Sequence, residues 1–151
     1  MYKLSDDIHP VLFIFMRTDM DSLNAGKAMA QAAHAANQMA KEMRDIEEKG
    51  KKKGGCSLIA YFHKWEKEGN GFGTTVVFNG DDLKYAKMTF EEMEQNDKIK
   101  QWRHGTVLDE TYPLRDGRRT HFLPIETCLW MFADNYDPEL GEYLGRFSLH
   151  D

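Results

Sequence analysis

Cysteine is scarce in this chain of 151 residues, with only Cys56 and Cys128 present. Two cysteines allow one disulfide at most and match no metal-ligand spacing, so the expected state is a pair of free thiols in a reducing cytoplasm. Long apolar runs are also missing. The longest, VLFIFM at 11–16, is far too short to cross a bilayer. The opening MYKLSDDIHP has neither the basic start nor the apolar core of a signal peptide, so no membrane partner is expected. An excess of positive charge is absent as well. A formal net charge of −5 argues against a protein that coats nucleic acid non-specifically, because such binding rests on Lys and Arg contacts to phosphate. It leaves room for local basic sites, at Lys49–Lys53 and at Arg115, Arg118 and Arg119. Each has the composition of a solvated loop. No internal repeat or low-complexity segment occurs.

What is present is an ordinary globular composition, 41% hydrophobic and 30% charged, well outside the regime of disorder. The length suits a single domain over residues 1–151. Residues 11–17, VLFIFMR, read as a strand buried on both faces. A polar turn with Asn24 as a helix cap follows, and a helix is expected from about Ala25 to Lys49. Glycines break the region 44–73, within which Ser57 to Lys67 suits a short helix or a strand, and the helix, packed by Leu58, Tyr61, Phe62 and Trp65, is the favoured reading. TTVVF at 74–78 is a strand, and Asp81 to Trp102 reads as a second long helix with its cap at Asn79–Asp82. Strands are expected at Thr106–Tyr112 and Thr127–Phe132, joined by the polar connection PLRDGRRTHFLP. A short helix and an extended tail close the chain. This order gives a small α/β layer protein with a mixed sheet.

Several chemistries are excluded by spacing. GK at 26 and 27 follows a buried strand, but a phosphate loop needs a glycine where Asp21 stands and a hydroxyl where Ala28 stands. GNGFG at 69–73 lacks the spacing and context of a dinucleotide fingerprint, and the nucleophile elbow GxSxG is missing. His34 and Gln38 share a helix face without a second histidine, which makes a poor metal site.

The first helix carries the strongest signal. At roughly 100° per residue, Lys27, Gln31, His34 and Gln38 fall in one line, while Met29, Ala32, Ala33, Ala36, Met39, Ala40 and Met43 gather opposite. The bland reading of the polar line is a solvated face. Against it stands Lys27, a cation in the first turn where the helix dipole disfavours one. A local rule broken at the mouth of a strand-to-helix turn marks a candidate site, and ligands of open α/β sheets collect at the carboxyl ends of strands.

RTDM at 17–20 followed by NAGKAMAQAAHAA at 24–36 resembles the signature of the type 2 peptidyl-tRNA hydrolase family, the archaeal and eukaryotic type. DGRRT at 116–120 with LP at 123–124 is similar to that family's Asp-Ala-Gly-Arg-Thr loop, and LGRFSL to its short C-terminal strand. The resemblance implies a three-layer α/β/α domain with a four-stranded mixed sheet flanked by helices, here with the region 44–73 enlarged. It implies hydrolysis of the ester joining a peptide to the terminal ribose of tRNA, with no metal or cofactor. By position it assigns catalysis to Lys27, Asp116 and Thr120 with Gln31 and His34 beside them, and places Asp19 at the end of the first strand. Arg17, Asp19, Arg118 and Arg119 are then candidates for substrate binding. In chemical terms Asp116 would hold or deprotonate water, Lys27 would stabilise the oxyanion or hold a nearby phosphate, Gln31 and Thr120 would orient the ester, and His34 is a second candidate base. The other outcome is a binding module for RNA or protein that keeps the fold without the chemistry. A homodimer is compatible with the size, although no isologous patch demands one.

Overall fold

A computed structural model of the chain describes residues 4–50 and 57–151. The elements are β1 (Pro10–Arg17), α1 (Ala25–Gly50), α2 (Ser57–Lys67), a 3-10 turn (Gly69–Gly71), β2 (Thr75–Asp81), α3 (Lys84–Glu94), β3 (Trp102–Asp116), β4 (Arg119–Asp134) and the one-turn α4 (Gly141–Leu144). Cys56 and Lys51 to Lys53 lie outside the described residues. The four strands form one sheet in the order β2-β1-β4-β3. β1 and β2 run parallel, while β1–β4 and β3–β4 are antiparallel. The sheet is mixed and the fold is α/β, as read from the sequence.

Strand geometry explains the layers. Side chains alternate across a strand, so Leu12, Ile14 and Met16 of β1 meet α1 and α2, while Val11, Phe13 and Phe15 meet α3 and the C-terminal segment. β4 does the same with Cys128, Trp130 and Phe132 on the first side and Leu129, Met131 and Ala133 on the second. A strand without a polar side is stable only between two apolar layers. At the other sheet position, Gly105 of β3 pairs with Trp130. A Cβ there would lie 2.6 Å from the indole nitrogen, so only glycine lets the ring lie flat beneath β3.

Four expectations need correction. The helix expected over Asp81–Trp102 ends at Glu94, and Trp102 opens β3. Asn96 stops it by accepting a hydrogen bond from the backbone N–H of Lys98 at 3.1 Å, the local competition by which Asn opposes helix. The polar connection between the last two strands is not a loop, since β3 and β4 continue through it to a turn at Gly117 and Arg118. The arc of α1 that faces inward is Ala28, Gln31, Ala35, Met39 and Met43, with Met29 and Ala33 exposed. The helix is rotated part-way toward its polar line, which brings that line to the flank of the sheet instead of to open solvent. The C-terminal strand expected from LGRFSL is reduced to a single bridge, Phe78 with Leu149.

Candidate active site

β3 and β4 outrun the sheet. β1 pairs with β4 only from Cys128 to Asp134, whereas the β3–β4 ladder continues outward to Asp116 and Arg119. At the base of this arm lie two bulges. Val107 pairs with Cys128 but Leu108 with Glu126, so Thr127 is the extra residue of β4. Asp109 pairs with Ile125 but Tyr112 with Leu123, so Glu110 and Thr111 stand opposite Pro124 alone. Pro124 has no N–H to give a ladder, which favours the irregularity. Bulges re-aim side chains, and here they turn Asp109 and Thr127 toward α1.

From the helix side, Asn24 caps α1 by accepting the backbone N–H of Lys27 at 3.1 Å. The Lys27 side chain leaves the positive end of the helix and crosses to the arm. Its ammonium donates to the carbonyl of Pro113 at 3.0 Å and lies 5.2 Å from the centre of the Tyr112 ring. Tyr112 is fully buried, and its hydroxyl meets that of Ser22 at 3.1 Å. Since an ammonium has three donors, Pro113 leaves two for another acceptor. The unfavourable first-turn cation is thus relieved by the carbonyl and the aromatic face.

One turn further along, Gln31 is buried and joins the two bulges. Its Nε2 donates to Oδ2 of Asp109 at 2.7 Å, and its Oε1 accepts from Thr127 Oγ1 at 2.7 Å. Asp109 Oδ1 also accepts the backbone N–H of Thr111 at 3.0 Å. Burial, the largest single influence on Asp109, pushes its carboxyl upward. The hydrogen bonds from Gln31 and Thr111 and the nearby His34 oppose it, and the net result lies below the ordinary value of 3.8. Asp109 is therefore ionised at neutral pH. Cys128 sits beneath, with its thiol against the Gln31 carbonyl at 3.7 Å, and burial pushes its pKa up to about 12. It is a thiol with no nucleophilic character at neutral pH.

The structure sets Gln31 against Asp109, with His34 nearby, while Lys27 crosses to Pro113 and Tyr112, and none of the three meets Asp116. Lys27 reaches only to Pro113, and Asp116 lies three residues farther out along β3, about 10 Å by strand rise. Asp116 is exposed and faces His121 at 3.7 Å, while Thr120 accepts from Arg115 at 3.1 Å. Both belong to the hairpin tip. The segment DGRRT is a turn: Gly117 has φ of 59° at the first of two central residues, where a tight hairpin calls for glycine. Asp109, Thr127 and Tyr112 were missed because their convergence depends on bulges, which leave no spacing signal. Arg17 and Asp19 are joined to each other by two bonds of 2.9 Å, and Arg17 also donates to the Glu126 carbonyl at 3.2 Å. The bonds from Arg17 hold the Asp19 carboxyl below its ordinary range. Arg118 and Arg119 stand exposed at the tip. Among the described residues no three His, Cys, Asp or Glu side chains converge as a metal ion would require, and no helix is long and apolar enough to cross a membrane.

Such an arrangement defines a small α/β protein with a lysine, an amide, an imidazole and an ionised carboxylate at the carboxyl end of its first strand. Residues 11–109 match the family model described as Peptidyl-tRNA hydrolase PTH2, and the chain belongs to that family. No curated protein matches it. The matched segment ends at Asp109, so the outer arm lies beyond it.

Proposed function

We propose that the protein hydrolyses the ester between peptide and tRNA in peptidyl-tRNA, and that Asp109, Lys27 and His34 carry the reaction, with Gln31 positioning Asp109. The observation that supports this most is Gln31 bridging Asp109 and Thr127 by two bonds of 2.7 Å on the helix face that also bears Lys27 and His34. Family membership supplies the reaction class. In this reading Asp109, kept ionised, orients the attacking water, and His34 accepts its proton. The water oxygen bonds to the ester carbonyl carbon, and the free donors of Lys27 stabilise the oxyanion that forms. The carbon–oxygen bond to the ribose then breaks, and protonated His34 returns the proton to the leaving ribose oxygen. Gln31 and Thr127 hold Asp109 without touching substrate, and Arg17 with Asp19 fixes the loop between β1 and α1.

Substituting each carboxylate separately tests the assignment, with release of free tRNA from a peptidyl-tRNA analogue as the readout. Asp109→Asn is expected to lower kcat by roughly 10²- to 10⁴-fold, and Lys27→Ala by about 10²- to 10³-fold. Asp116→Asn is expected to leave kcat within about threefold, the order of a surface change away from the chemistry. A loss confined to Asp116→Asn would move the site to the hairpin tip. No release by the unaltered protein would leave the binding module as its function.

A further inference from the structure

Resting on the ester-cleaving reading, we infer that Tyr112 is a positioning residue of this site: its ring face holds the Lys27 ammonium in place while leaving free the donors that meet the oxyanion. A lysine side chain is a flexible stem with large rotamer entropy, and this one starts in the first turn of α1, where the helix dipole repels a cation. Left alone it would swing into solvent. Two groups of β3 draw it across instead. The Pro113 carbonyl accepts from Nζ at 3.0 Å, and the centre of the Tyr112 ring lies 5.2 Å from the same atom. They differ in what they consume. A carbonyl takes one of the three ammonium donors, whereas the face of a ring attracts the charge through its quadrupole and takes none. The ring therefore adds holding power without using the donors that the chemistry needs.

The backbone of the arm brings the ring there. Asp109 and Tyr112 both face α1, as the contacts of Asp109 with Gln31 and of Tyr112 with Ser22 and Lys27 establish. Three residues apart, they would fall on opposite faces of a regular strand. The bulge that sets Glu110 and Thr111 opposite Pro124 removes that conflict. One irregularity thus presents the carboxylate and the lysine's holder on the same side. Ser22 then fixes the ring. It stands in the connection between β1 and α1, five residues before Lys27, and its hydroxyl meets that of Tyr112 at 3.1 Å. Tyr112 is itself fully buried, so packing holds the ring as well as the hydroxyl does.

Removing the ring and then tuning its charge tests the assignment, in the full chain with a peptidyl-tRNA analogue as substrate. Tyr112→Leu is expected to lower kcat by about 3- to 30-fold, the size of a cation's hold on an aromatic face, with KM within about twofold. Tyr112→Phe keeps the ring and is expected to recover most of that loss. In Lys27→Ala protein the same Tyr112→Leu change is expected to cost less than about twofold, because the two residues act as one unit. Losses that simply add in the double variant overturn the inference, since they mean that Tyr112 supports the fold and not the lysine. If Tyr112→Leu fails to fold, mono-, di- and trifluorinated analogues of the phenylalanine in Tyr112→Phe keep the shape and weaken the negative face of the ring step by step. There kcat is expected to fall with each fluorine, and a flat series overturns the inference. A second readout needs no substrate. The ε-methylene protons of Lys27, assigned by the signal missing from Lys27→Ala, are expected to resonate upfield under the ring current, to stay there in Tyr112→Phe and to move to the solvent position in Tyr112→Leu. The same signal separates the two readings. An upfield signal with no release of tRNA by the unaltered protein rejects the ester chemistry and keeps Tyr112 as the holder of Lys27, whereas release with an unshifted signal does the reverse.

Discussion

Gln31 has two donors and an accepting oxygen, and it spends one of each on Asp109 and Thr127 at 2.7 Å. Replacing it with leucine keeps the volume but leaves a carboxylate and a hydroxyl short of partners in a buried place. Gln31→Leu is expected to lower stability by about 2–3 kcal/mol, read from the urea midpoint at unchanged m-value. The sequence placed Gln31 on the polar line of α1, since helical period alone gives that. It could not show that the line is buried at Gln31 and exposed at His34, because that depends on where β3 and β4 bulge. Asp109 sits in VLDET at 107–111, which carries no mark of its own. Asp116, followed by glycine and arginine, stands out in the sequence, where turn residues and site residues draw on the same small set.

At the scale of elements, β1, α1 and α2 lie within a residue of where hydrophobic periodicity put them. β3 and β4 do not. Their outer halves lie beyond the rest of the sheet and are largely exposed apart from Tyr112, so the partner strand holds them extended, and pairing across a hairpin is invisible in either strand alone. The inner half of β3 shows the same dependence. Gly105 is required because Trp130 lies against it, with its Nε1 donating to Gln38 Oε1 at 2.7 Å. Gly105→Ala forces a Cβ to within 2.6 Å of the indole nitrogen. The variant is expected to lose about 1–3 kcal/mol by overpacking, with a shift of Trp fluorescence in the folded state marking the displaced ring.

For the whole molecule, two carboxyls at the mouth of the sheet share one pH signature. Asp109 and Asp19 both have folded pKa values below the ordinary 3.8. A depressed carboxyl adds stability that is complete above the unfolded pKa and disappears as pH falls through the folded one. Thermal stability is therefore expected to stay level from neutrality to about pH 5 and to drop below about pH 4, with a shallower drop in Asp109→Asn. Melting curves across that range check it, and an equal drop in the variant would remove Asp109 from the account. The three-layer architecture follows from one fact of sequence, a first strand apolar on both faces that must be covered twice. The polar line of α1 was equally legible, because periodicity and charge are local properties. Which acid meets that line was settled only by tertiary structure. Two one-residue bulges in a ladder between distant segments turn Asp109 and Thr127 inward and leave Asp116 at the tip, and the energy of such a choice lies in contacts that neither segment has until the other is in place.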